Sequence, residues 1–138
     1  MSYLLDASSL MLLIKKADVQ EAMKKLQEAA VLDLTYYEVG NIIWKESALT
    51  KFLTLKEADR FGMMAQEVMA KVKQINGKET AFMKILEIAR NENLSFYDSS
   101  YVYSAKEEGL TLITEDKRLK EKAKKYVSVC DVLALLSR

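Results

Sequence analysis

Tyr3-Leu4-Leu5-Asp6-Ala7-Ser8-Ser9 opens the chain with a short apolar run that stops at a single acid, after which small and helix-compatible residues begin. A run this short and this apolar reads as a strand buried on both faces, as in a parallel sheet covered by helices. A charge set directly against it is costly unless something nearby compensates. Working outward, comparable runs recur at residues 31–34, 110–113 and 127–130, which with residues 2–5 make four strands, Asp33 apart, apolar enough to be largely buried. Between the first two, Val19, Met23, Leu26 and Ala30 are spaced 4, 3 and 4 apart, predicting a helix over residues 19–30 with one apolar stripe. Short strands alternating with longer helices are the sequence form of an α/β fold with a parallel sheet.

From about residue 36 to 92 no convincing strand is visible, and the pattern predicts three helices. In the second, Leu55, Ala58, Gly62, Ala65, Met69 and Val72 repeat at 3 and 4, with Phe61, Met64 and Val68 as a neighbouring stripe. A face that wide packs as core within the chain or, being Met-rich, as a homodimer surface. The third helix carries Phe82, Ile85, Leu86 and Ala89, with Asn76-Gly77 as the turn before it. No repeat, low-complexity tract or boundary interrupts the 138 residues, so a single domain spanning 1–138 is expected.

Composition narrows the chemistry. The chain has no His, one Cys and no Pro. Without His, nucleophile schemes based on Ser-His or Cys-His and His-based zinc sites are excluded, leaving carboxylates, Lys or Tyr for acid, base or metal work. Cys130 alone permits no internal disulfide and no all-cysteine zinc site, which suits a reducing, cytoplasmic setting. Without Pro, turns fall to Gly, Asn, Asp and Ser. The longest apolar runs, at residues 10–14 and 132–136, are five residues each, far short of the roughly 20 a bilayer requires. The start lacks the basic region of a signal peptide. A net charge of +1 makes no bulk case for nucleic acid or acidic lipid, so such a partner requires a local basic patch.

Four acids stand just past extended segments: Asp6, Glu38 in Thr35-Tyr36-Tyr37-Glu38, Asp98 in Leu94-Ser95-Phe96-Tyr97-Asp98, and Asp116 in Leu112-Ile113-Thr114-Glu115-Asp116. The carboxyl ends of parallel strands share one edge, so these positions, 32, 60 and 18 apart, are expected to converge. Two carboxylates about 4 Å apart repel by about 4 kcal/mol at an effective dielectric near 20, so four of them require a cation. Carboxylate and water oxygens select a hard divalent ion, Mg2+ or Mn2+. Helix capping competes as an explanation: Thr35-x-x-Glu38 and Ser95-x-x-Asp98 match a capping box, as does Thr54-x-x-Glu57, where no function suggests itself.

With these residues in view, the chain resembles the PIN-domain nucleases, whose small prokaryotic members include the VapC-type toxins of toxin-antitoxin pairs. The likeness runs from Leu5-Asp6-Ala7-Ser8 through Glu38 and Tyr97-Asp98-Ser99-Ser100-Tyr101 to Thr114-Glu115-Asp116-Lys117-Arg118-Leu119. It rests on the ordered set rather than on one motif. The resemblance implies a three-layer α/β/α fold with a short, mostly parallel sheet of four to five strands. It implies Asp6, Glu38, Asp98 and Asp116 as the catalytic, metal-binding quartet, with Ser8 and Thr114 as supporting hydroxyls. It further implies a Mg2+- or Mn2+-dependent endoribonuclease, held inactive by a small antitoxin, that leaves 5′-phosphate and 3′-hydroxyl ends.

An acidic site must still hold an anionic substrate, so cations should rim it. Residues 117–125 carry Lys117, Arg118, Lys120, Lys122, Lys124 and Lys125 against Glu121, a net +5 directly after Asp116. Lys117 and Arg118 are the candidates for RNA contact; the distal lysines read equally well as a solvated face, and Lys45 is a weaker candidate. Tyr36, Tyr37, Tyr97, Tyr101 and Tyr103 are candidates for base stacking or, more simply, amphipathic packing, and Trp44 for core or interface. Two readings compete with the toxin: a housekeeping RNA-processing nuclease, and a non-catalytic protein-binding module whose acids survive as caps. Haloacid-dehalogenase-like phosphatases need a second Asp where this chain has Ser8, and a receiver-type phosphoacceptor needs a pair of acids where Asp6 stands alone.

Overall fold

The opening apolar run is the middle of the molecule. In the computed structural model, which describes residues 2–138, β1 (Tyr3–Leu5) is the central strand of a five-stranded sheet. The others are β2 (Ala29–Leu32), β3 (Lys73–Ile75), β4 (Thr111–Ile113) and β5 (Val129–Cys130), in the order β3-β2-β1-β4-β5. Every pairing is parallel. The helices are α1 (Ala7–Lys16), α2 (Val19–Leu26), α3 (Asp33–Trp44), α4 (Leu55–Lys71), α5 (Phe82–Glu92), α6 (Phe96–Glu108), α7 (Lys117–Ala123) and α8 (Val132–Leu136).

The two-residue period of the strands makes this a three-layer structure. Leu5, Val31 and Ile113 face a core built with Leu10 and Leu13 of α1, Val39 of α3, Phe61 and Ala65 of α4 and Leu135 of α8. Leu4, Ala30, Leu32 and Leu112 point the other way, against Ile88 of α5, Tyr101, Val102 and Ala105 of α6 and Leu119 of α7. Leu4, Leu5, Leu112 and Ile113 are fully buried. Each such side chain stabilises the fold by about 1.5–3 kcal/mol relative to exposure, which is why the chain begins with uninterrupted apolar residues on both faces of one strand.

Several boundaries differ from the expected ones for physical reasons. The helix predicted to run to residue 30 ends at Leu26, because Ala29 and Ala30 belong to β2. Their small apolar side chains fit either period, and tertiary pairing with Tyr3 and Leu4 decides. The second strand therefore ends at Leu32, and Asp33 opens α3 instead of lying within a strand. The fourth strand narrows to Val129–Cys130. Between 36 and 92 the chain does contain a strand: Lys73 and Gln74 of β3 are exposed at the sheet edge, paired only with β2. Polar, charged and short is how edge strands avoid unwanted pairing, and it hides them from an apolar-run reading. The Asn76-Gly77 turn follows this strand, and the Gly77 N–H donates to Asp33 Oδ2 at 3.0 Å, tying it to the start of α3.

Helix α4 buries Ala58, Phe61, Ala65 and Val68, one seam drawn from both predicted stripes, while Leu55 and Met63 face solvent. It is opened by the Thr54–Glu57 box, with hydrogen bonds of 3.1 and 3.0 Å. Among the described residues no helix is long and apolar enough to cross a membrane.

Candidate active site

The register of β1 on β4 pairs Leu5 with Ile113, so the residues that follow, Asp6 and Thr114, emerge side by side. Asp6 caps α1: its Oδ1 accepts from the Ser9 N–H at 2.9 Å, and its own N–H donates to the Ile113 carbonyl at 3.2 Å. Thr114 is fully buried, and its hydroxyl lies close enough to the Asp6 carboxylate to favour the charged form. The same Oγ1 accepts from the Asp116 N–H at 3.1 Å. Asp116 in turn caps α7, accepting from the N–H groups of Arg118 and Leu119 at 2.9 and 3.0 Å. Asp98 sits in the first turn of α6, where its N–H donates to the Ser95 Oγ at 3.0 Å. The capping interpretation is thus correct for Asp6 and Asp116, whose side chains it also aims, whereas at Asp98 the cap is Ser95, and only the Asp98 N–H half of the Ser95-x-x-Asp98 box forms.

Glu38 is different. It lies in the middle of α3, and the Thr35-x-x-Glu38 box does not form. The Thr35 Oγ1 accepts instead from the Leu32 N–H at 3.1 Å. Glu38 Oε1 accepts from the Tyr101 hydroxyl at 2.6 Å.

Asp6, Ser8, Glu38, Asn41, Asp98, Tyr101 and Asp116 line one cavity of about 230 Å3. All four predicted acids come together there with Ser8, while Thr114 lies beneath Asp6. Burial is the first cause pushing the Asp6 carboxyl above its ordinary range, against Thr114 and Ser9, which favour the charged form. Burial also raises Glu38, helped by the charges of Asp6 and Asp98 and opposed by Tyr101. Asp98 is raised by burial and then by Asp116 and Asp6, with Ser95 and Arg118 opposing. Glu38 and Asp98 each feel neighbouring acids, so the cavity disfavours their full ionisation.

That is the electrostatic signature of a place suited to a cation, and an all-oxygen donor set suits a hard divalent ion. Among the described residues no three acids close on one point tightly enough to cage an ion. A hard ion that keeps several of its waters matches such an open arrangement.

The basic segment after Asp116 is largely committed elsewhere. The Arg118 guanidinium donates to the Asn93 carbonyl, and the Lys122 ammonium to the Glu92 carbonyl. Lys125 pairs with Glu92 at 2.8 Å, Lys120 with Asp131 at 3.3 Å and Lys124 with Glu121 at 3.4 Å. Lys117 is exposed beside Asp116. The expected +5 rim is therefore mostly a clamp between helices. Tyr97 and Tyr103 line a separate groove of about 600 Å3 with Leu32, Ile75, Phe82 and Phe96. Tyr36 and Tyr37 are exposed and stacked edge to face.

Sequence reasoning missed Asn41 and the way Tyr101 is used. Both stand three residues after a predicted acid, Glu38 and Asp98 respectively, which on a helix is the same face; that spacing was the available signal.

Residues 3–125 match the family model described as the PIN domain. The chain is 34% identical to Exonuclease VapC9 of Pyrobaculum aerophilum, over 98% of this chain and 96% of that protein. It is 28% identical to Ribonuclease VapC3 of the same organism, over 88% of this chain and 95% of that protein. The solved structure of PAE2754 from Pyrobaculum aerophilum superposes with a TM-score of 0.85 at 33% identity, covering 100% of this chain and 94% of that one. With a three-layer fold, an ordered acidic quartet and a family match over most of its length, the chain belongs to the PIN-domain family.

Proposed function

We propose that this protein is a Mg2+- or Mn2+-dependent endoribonuclease acting as the toxin of a VapBC-type pair. The observation that carries the reading is the convergence of Asp6, Glu38, Asp98 and Asp116, from four separate elements, on one cavity. In this reading all four acids would hold the metal. A divalent ion bound there supplies water activation and neutralises charge building on the phosphate during in-line displacement.

The chain's own residues do the rest. Thr114 favours the charged form of Asp6 and, by accepting from the Asp116 N–H, holds the start of α7. The caps of α1 and α7 hold Asp6 and Asp116 in place before substrate arrives, which spares the reorganisation that flexible acids would require. Ser8, at the cavity wall, is placed to orient a carboxylate or a water. Lys117 extends from the cavity edge to draw in the RNA backbone. Arg118, its guanidinium engaged by Asn93, acts on the site through its charge beside Asp98. A small antitoxin is the proposed partner, a homodimer the proposed assembly and the cytoplasm the proposed compartment.

The test is cleavage of a closed circular single-stranded RNA with Mg2+ or Mn2+, with and without chelator, by wild type, Asp6→Asn and Asp98→Asn. Metal-dependent opening of the circle, lost in both variants, is expected. Circles that survive while linear RNA is trimmed would replace the endonuclease by an exonuclease, the activity in the name of VapC9. Full activity in Asp6→Asn would overturn the quartet mechanism.

A further inference from the structure

Three of the four acids are set by a helix N-terminus: Asp6 and Asp116 as caps and Asp98 in the first turn. Glu38 is the sixth residue of α3 and has no such support. A glutamate in that position has rotamer freedom to lose before it presents a carboxylate at a fixed point. Something else must order it.

The Tyr101 phenol lies 2.6 Å from Glu38 Oε1 and 2.7 Å from Thr35 Oγ1. Proton bookkeeping sets the direction of these bonds. A carboxylate only accepts and the phenol has one proton, so Tyr101 donates to Glu38. The Thr35 hydroxyl then donates to Tyr101, while its oxygen accepts from the Leu32 N–H at 3.1 Å. The result is one directed chain from the end of β2 through Thr35 and Tyr101 to Glu38. Both intermediate side chains are immobilised: Thr35 is 0% and Tyr101 1% exposed, the latter packed in the core cluster with Leu4, Val102 and Leu112. A ring this buried is unavailable for stacking on a base, the use considered for it from sequence.

We infer that Tyr101, backed by Thr35, is a positioning residue that holds Glu38 Oε1 so that Oε2 is presented to the acidic cavity. The inference rests on the reading that Glu38 contacts a divalent ion. Partners of metal-binding carboxylates set ligand orientation, and their loss typically costs about 10- to 100-fold in metal affinity.

The test is Mn2+ binding to the purified chain by isothermal titration calorimetry, for wild type, Tyr101→Phe, Thr35→Val, Thr35→Ser and Glu38→Gln, with far-UV circular dichroism as the folding control. Tyr101→Phe keeps the ring and is expected to weaken Mn2+ binding about 10- to 100-fold. In cleavage assays it raises the Mg2+ concentration for half-maximal rate and leaves the KM for RNA unchanged. Thr35→Ser is expected to bind as wild type and Thr35→Val more weakly. Unchanged binding in Tyr101→Phe with impaired Glu38→Gln would overturn the positioning role alone. Unchanged binding in Glu38→Gln would overturn the place of Glu38 in the metal site, and the role of Tyr101 with it. Should Tyr101→Phe not fold, equal affinity in the two Thr35 variants overturns the inference.

Discussion

Replacing Asp6 by Asn is expected to stabilise the metal-free chain while removing its activity. The substitution isolates charge. Asn caps a helix about as well as Asp, so Oδ1 can still accept from the Ser9 N–H. What disappears is a buried negative charge facing Glu38 and Asp98. A cavity of about 230 Å3 is equivalent to a sphere about 8 Å across, and charges that far apart repel by about 2 kcal/mol at an effective dielectric near 20. Glu38 and Asp98 are only partly buried, so screening by solvent reduces each pair to about 1 kcal/mol. The two pairs together make about 2 kcal/mol, or a rise of about 6–10 °C in Tm for a chain of this size. The sign with pH follows from the direction of the shift. Burial raises the Asp6 carboxyl above its ordinary 3.8, so the folded state favours the protonated acid, and wild type loses stability as pH rises from about 4 through the raised value. The advantage of Asp6→Asn therefore vanishes toward pH 4 and is full above the raised value. Thermal melts by circular dichroism in EDTA at several pH values measure it. Adding Mn2+ should narrow the gap, because an ion that binds only the folded state raises the wild-type Tm. An Asp6→Asn chain that melts at or below wild type in EDTA at neutral pH would refute the picture of a cavity strained by its own charge.

Other consequences are more local. Lys117→Ala is expected to weaken RNA binding across sequences and to reduce the salt slope by about 1, measured by fluorescence anisotropy at several salt concentrations. Lys124→Ala, whose ammonium pairs with Glu121, should leave both unchanged. Gly109 ends α6 with φ 66°, so Gly109→Ala should lower stability by about 1 kcal/mol in a urea titration with an unchanged slope.

The parts of the fold legible in the sequence are those where one local signal sufficed. Tyr3-Leu4-Leu5-Asp6 is a strand on any reading because its apolar residues leave it no solvent-facing side, and the acid marks where the strand must end. Asp98 and Asp116 were legible because helix starts announce themselves by capping chemistry. Where two periods fit the same small residues, as at Ala29 and Ala30, local pattern was insufficient, and pairing with β1 settled the matter. β3 was invisible because an edge strand is selected to look unlike a strand. The Thr35-x-x-Glu38 spacing was read as a cap, whereas Thr35 turns to Leu32 and Glu38 to Tyr101. A side chain 63 residues away decides that choice, and no window of local sequence contains it.

The cations after Asp116 carry the same lesson about charge. Arg118, Lys122 and Lys125 recur at i, i+4 and i+7, one face of α7 continued into the turn beyond it. Read alone, that stripe offers Arg118 to RNA and its lysines either to RNA or to solvent. In the fold it meets the C-terminal end of α5, where the Glu92 and Asn93 carbonyls and the Glu92 carboxylate take up all three cations. The end of a helix carries partial negative charge and unpaired carbonyls, so it attracts cations as phosphate does. The attachment has a consequence for the site. Asn93 ends α5, and α6 with Asp98 begins three residues later at Phe96. By gripping that turn, α7 fixes the element that supplies Asp98 while its own first residue is capped by Asp116. One short basic helix thereby holds two of the four acids in register against their mutual repulsion, which is a use for its charge that does not require RNA at all.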